Sequence, residues 1–237
     1  MSLPQLLEMY RGKFAPVVPF TAGVDKLLEM DFTASNKMLS QEMLGNTTMF
    51  TRYIEIELEK AGARYGIGGY GEHRTVYSRS PLFGTNHYAS QELAEPRRFH
   101  LGIDIWGKAG TPVFTPLGGT VHSFAFNNSF GDYGATVLLS HRLESQQFFT
   151  LYGHVDLDSI NSLETGREFK KGSMLARFGG AEENGNWPPH LHFQVITDIQ
   201  GRTGDFPGVC RYSEKEQWLS ICPDPDLLLD MMRFANR

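Results

Sequence analysis

Four of the eight histidines and one aspartate fall in three places: His100 with Asp104, His154 just after Tyr152, and His190 with His192. Imidazoles and a carboxylate are what a divalent metal site needs, and also what general acid-base catalysis needs. If residues 190–196 form a strand, His190, His192 and Gln194 share one face while Leu191, Phe193 and Val195 share the other. An apolar core face then backs an imidazole face, with the two rings about 7 Å apart at the backbone. They can serve one site. His100 and Asp104 are harder to join, because four residues of straight strand separate them by about 13 Å, too far for two bonds near 2 Å to one ion. A helix would bring them together, but 101–106 is a poor helix sequence. The remaining arrangement places His100 on a loop or bend just before a strand, with Gly102 permitting the turn.

The elements that must position these groups divide the chain. Only Gly12, Gly23, Gly45 and Gly62 of 25 glycines precede Tyr65, so the front is expected to be helical. Within 47–62, Phe50, Tyr53, Ile54 and Leu58 recur at intervals of three and four, the stripe of an amphipathic helix. Shorter helices are expected at 24–30 and 36–44. From Tyr65 onward, short β-branched and aromatic runs at 101–106, 120–126, 135–141, 148–154, 174–178 and 190–196 alternate with glycine- and proline-rich turns, the spacing of antiparallel strands. The strands are expected to stop after Asp205. Asp224 and Pro225 then open a short terminal helix ending near Arg233. The boundaries implied are a helical segment 1–64, a β domain 65–205 and a tail 206–237.

Composition removes several classes of function. The 237 residues carry 22 basic and 27 acidic side chains, a net charge of -5, with no basic run, so nucleic acid is not an expected partner. No apolar stretch approaches the roughly 18 residues of a membrane span. The first 25 residues do not read as a secretory signal, which makes the cytoplasm the expected compartment. Cys210 and Cys222 stand alone, without the spacing of a thiolate metal site, and read as free, partly buried thiols. Gly66–Gly71 has no Gly-Lys-Ser/Thr after it and reads as a flexible turn rather than a phosphate loop.

In this order, the three clusters resemble the lysostaphin-type (LytM-like) zinc metallopeptidases, whose pattern is H-x-x-x-D, a Y-x-H-like segment, then H-x-H. Residues 110–121 are similar to that family's G-T-P-V-x-A-x-x-x-G-x-V stretch, 171–176 to its K-G-Q-x-I-A turn, and 189–193 to its P-H-L-H-F. The resemblance runs from about Phe99 to Ile196. It implies Zn²⁺ held by His100, Asp104 and His192, with His154 and His190 as catalytic histidines. In that division His154 is the general base and His190 positions water or oxyanion. It further implies hydrolysis of a peptide or peptidoglycan-like substrate and a mainly β fold, an antiparallel sandwich or incomplete barrel preceded by helix. The alternatives are a cytoplasmic zinc hydrolase of a small amide, or a non-catalytic module on the same fold. His73, His87, His122 and His141 read as surface or satisfied core residues; Trp106 and Trp187 flank the motifs and line a cleft or pack. The approach to His190, residues 182–189, is bulkier than the small turn of many family members, which should change what enters. Residues 81–88 run toward His100 and are expected to narrow the groove, with Asn86 or His87 at its rim.

Overall fold

The structure, a computed structural model, describes residues 1–84 and 95–236. Its strands are β1 (Leu27–Glu29), β2 (Tyr65–Gly68), β3 (Phe99–His100), β4 (Ile103–Trp106), β5 (Pro112–Phe114), β6 (Gly119–Asn127) and β7 (Gly134–Leu143). They continue with β8 (Gln146–Val155), β9 (Glu168–Phe169), β10 (Met174–Arg177), β11 (His190–Ile196), β12 (Val209–Cys210) and β13 (Ala235–Asn236). Nine of them form one sheet in the order β13-β1-β2-β4-β11-β8-β7-β6-β9, and β10–β5 and β12–β3 form two-stranded ribbons. The pairs β13–β1 and β1–β2 are parallel and the remaining neighbours antiparallel. The fold is therefore mainly β, as expected, built on one large mixed sheet that does not close into a barrel.

Alternation along the central strands separates core from cleft. Ile67 on β2, Ile103 and Ile105 on β4, and Leu191, Phe193 and Val195 on β11 all enter one apolar cluster. Gly68, Asp104 and His192 take the other face, and the pairings Gly68↔Asp104, Asp104↔His192 and His192↔Gly153 set them in one row across four strands. A second apolar cluster covers part of that face: Phe32 and Phe50 pack on Trp106, with centroids 5.0 and 6.1 Å from the indole ring.

Several expectations for the front and the tail need correction. The amphipathic helix is present as Thr47–Ala61, capped by the Asn46 side chain and closed by Gly62 in the left-handed region at φ 57°. Of 36–44 only Gln41–Gly45 is α-helical. Residues 24–30 hold a strand, β1, because the edge of β2 on one side and β13 on the other satisfy its backbone, which outweighs the helix propensity of Leu-Leu-Glu. Strands do continue past Asp205: Val209 pairs with His100 and Cys210 with Phe99. The terminal α-helix is only Asp226–Leu229, and Met232–Phe234 is a 3-10 turn. Cys210 and Cys222 are free thiols and fully buried.

Candidate metal and catalytic site

His192 reaches the site because β11 follows the predicted alternation, and Asp104 stands directly opposite it on β4. His100 arrives by a break between strands. It ends β3, whose register is fixed by β12 and by the bond from its own N–H to the Glu72 carbonyl, and the chain turns before β4 begins. Gly102 matters there for space rather than for a special backbone angle: a Cβ would stand 2.6 Å from His192 Cε1 and 2.8 Å from the Phe193 carbonyl oxygen.

Three lone pairs converge as a result. His100 Nδ1 lies 2.9 Å from the Gly69 carbonyl, which only accepts, so Nδ1 carries the proton and Nε2 is bare. Gln194 donates its amide to the Pro207 carbonyl, which turns its Oε1 toward His192 Nε2 at 2.9 Å and leaves His192 Nδ1 bare. The two bare nitrogens are 2.9 Å apart, and Asp104 Oδ1 is 3.1 Å from His192 Nδ1 and 3.4 Å from His100 Nε2. Three acceptors facing one another form a site that a cation could occupy. Bonds near 2.0 Å in a tetrahedral set would place ligand atoms about 3.3 Å apart, so these separations and this donor set fit zinc. Among the described residues this trio is the one group of His, Cys, Asp or Glu positioned to hold an ion.

Burial alone would raise the Asp104 pKa, but the Arg74 guanidinium against it outweighs burial and holds the carboxyl well below its usual range. The carboxylate stays ionised. Burial, reinforced by Arg74, pushes His100 down to about 3, which keeps its imidazole neutral and able to coordinate.

His154 enters the cleft against the alternation of its strand. Gly153 pairs with His192 and so lies on the cleft face, which would send His154 to the core. Its backbone adopts φ 63° instead, at an irregularity in the β7–β8 pairing, and the ring turns to the cleft side. Its Nδ1 donates to the Asn184 carbonyl at 2.8 Å, leaving Nε2 free. The Asn184 side chain is fully buried and ties Gly179 and Trp187 together, so the 182–189 approach supports His154 as well as forming a rim. His190 donates Nδ1–H to the Pro188 carbonyl, stacks on Trp106 with centroids 3.9 Å apart, and lies 4.1 Å from the His154 ring. Burial lowers both pKa values, that of His190 to about 4, and each ring's proximity to other histidines adds to the effect. Both rings are neutral at pH 7.

The structure thus brings Asp104, His154, His190 and His192 to one cavity of about 280 Å³, with Trp106 and Trp187 in its wall, and His100 meets this group through His192 and Asp104. Leu82 and Phe83 also line it, from the stretch expected to narrow the groove. Asn86 and His87 lie outside the described residues. His141 is a satisfied core residue, with Nδ1 on the Gly118 carbonyl and Nε2 on the Thr150 hydroxyl. Sequence reasoning missed Tyr133, whose hydroxyl is 3.4 Å from His192 Nε2, and Arg74, which contacts Asp104. It also misread Gly66–Gly71: Gly66 and Gly68 belong to β2, and the turn after it supplies the carbonyl that holds His100. The signal available was the glycine density itself, since glycine inside a strand marks a close approach.

A buried His/Asp/His cluster that could hold a metal ion thus lies on an open mixed sheet, with two further neutral histidines beside it. Residues 98–204, the stretch that carries all five site residues, match the model of peptidase family M23. Solved structures similar to the chain include the catalytic domain of the antimicrobial peptidase lysostaphin from Staphylococcus simulans: 19% identity, TM-score 0.42, covering 76% of this chain and 97% of that one. The whole of that lysostaphin is 22% identical with a TM-score of 0.40, over 70% of this chain and 50% of the other. A zinc containing peptidase from Vibrio cholerae is 26% identical with a TM-score of 0.34, over 46% of this chain and 31% of the other. No curated protein matches the chain. No helix among the described residues is long and apolar enough to cross a membrane.

Proposed function

We propose that this chain is a zinc-dependent peptidase in which His100, Asp104 and His192 hold the metal, His154 is the general base and His190 positions the water or the developing oxyanion. The observation that carries the reading is the convergence of three bare acceptor atoms whose tautomers are fixed by Gly69 and Gln194. Zinc so bound would supply Lewis acidity and a water acidic enough to attack at neutral pH. The chain's own residues do the rest. His154 presents an unprotonated Nε2, because its Nδ1 proton is committed to Asn184, and can accept a proton from the attacking water. His190, held flat between Trp106 and His154, keeps a fixed direction toward the same space. Tyr133, whose hydroxyl burial keeps protonated, lines the same cavity with that hydroxyl beside His192 Nε2.

The substrate we propose is a short peptide or a small amide, not an intact cell-wall network. The five site residues are all buried, and Phe83 and Leu82 wall the cavity from the front segment. The test is hydrolysis of short glycine-containing peptides and of purified wall fragments, before and after chelation. Cleavage of the peptides that is lost with chelator and restored by zinc is expected; cleavage indifferent to chelator would contradict the proposal.

A further inference from the structure

Arg74 is a buried charged side chain whose position the reaction above leaves unexplained. It is 1% exposed and sits at the back of the ligand cluster. Each of its three guanidinium nitrogens has a separate acceptor: Nη1 donates to Asp104 Oδ2 in a short contact, Nε to Glu72 Oε2 at 2.5 Å, and Nη2 to the Gly68 carbonyl at 3.1 Å. The plane of the fork also lies against Phe32, 5.3 Å from its centroid. The two oxygens of Asp104 are thereby divided, Oδ2 turned to Arg74 and Oδ1 to the two bare imidazole nitrogens.

The turn after β2 is shaped around this arrangement. Gly69 has φ +102°, and a Cβ there would stand 1.7 Å from Arg74 Nη2, so no side chain fits. The carbonyl of the same residue fixes His100 Nδ1. One glycine turn therefore sets both the tautomer of one ligand and the partner of another.

We propose that Arg74 is a positioning residue that makes Asp104 a one-oxygen metal ligand, and the proposal rests on the zinc site described above. A free carboxylate can close on an ion with both oxygens, which adds a bond and fills the position a substrate or water needs. A guanidinium fork that claims Oδ2 prevents this, and only a planar, multiply tethered donor can hold that orientation. Losing Arg74 has two opposed effects on affinity: a nearby positive charge disappears, which favours the metal, and ligand orientation is lost, which disfavours it. Coordination geometry is the cleaner readout.

The experiment replaces zinc by Co²⁺ in the full chain and records the visible d–d absorption of the parent, Arg74→Met and Arg74→Lys, with circular dichroism as a check on folding. The parent should show the intense bands of a site with few ligands. Arg74→Met should lose intensity as Asp104 Oδ2 joins the metal. Arg74→Lys keeps the charge but cannot tether three acceptors, so it should lose intensity too, and it decides the matter if the Met variant does not fold. A spectrum in folded Arg74→Lys identical to that of the parent would overturn the proposal. A parent that takes up neither cobalt nor zinc would remove the metal reading itself, and this proposal with it.

Discussion

At His154 the chain departs from the alternation of its own strand, and the departure supplies a catalytic group. A left-handed backbone at a non-glycine residue costs about 1–2 kcal/mol, and it is held here by the Tyr133 carbonyl on its N–H and the Asn184 carbonyl on its ring. His154 supplies none of the three acceptor atoms proposed to hold the ion, whereas His192 contributes one of them. His154→Ala should therefore keep zinc and fold while losing hydrolysis by the roughly 10²- to 10⁴-fold that general acid-base catalysis contributes. His192→Ala should lose metal and activity together. Metal analysis and turnover on the same preparations check this, and zinc lost from His154→Ala would mean that a ligand had been mistaken for a base.

The central strands carry the part of the structure that was most legible in the sequence. β11 runs over His190–Ile196 as read, because polar and apolar positions alternate from His190 to Val195 and so favour one register. β1 was not legible: its leucines suit either period, and what decides it is the presence of two neighbouring strands that no local pattern announces. Arg74 and Gly69 were hidden for the same reason, since their roles exist only once β2 lies beside β4. His141 shows what an element can do with a histidine away from the site. It joins β7 to the Gly118 carbonyl and to Thr150 of β8, and burial lowers its pKa to about 4. Between that value and an unfolded value near 6.5, the unfolded chain binds more protons, so the stability it contributes is present above about pH 6.5 and is lost as pH falls to about 4. From pH 7 to pH 5 such a shift costs about 2 kcal/mol. Urea unfolding of the parent and His141→Gln at both pH values should show a smaller loss in the variant; equal losses would exclude His141 as the source.

Over the whole molecule, the front segment is part of the same sheet and covers the back of the site. β1 and β2 extend the sheet beyond β4, Phe32 and Phe50 bury Trp106, and Arg74 meets Asp104. A chain beginning at residue 95 would expose Trp106 and leave the edge of β4 and the Asp104 carboxylate without those partners. It should show no cooperative unfolding and retain no zinc, as followed by circular dichroism and metal analysis; a cooperative, zinc-binding fragment would show that the front is dispensable. The account as a whole rests on the trio of His100, Asp104 and His192 being a zinc site. Its most direct test is the zinc content per chain of the parent and of Asp104→Ala after equilibration with zinc and removal of the excess. One equivalent in the parent and a large loss in Asp104→Ala is the predicted result. A metal-free parent, or an Asp104→Ala variant holding as much zinc as the parent, would contradict it.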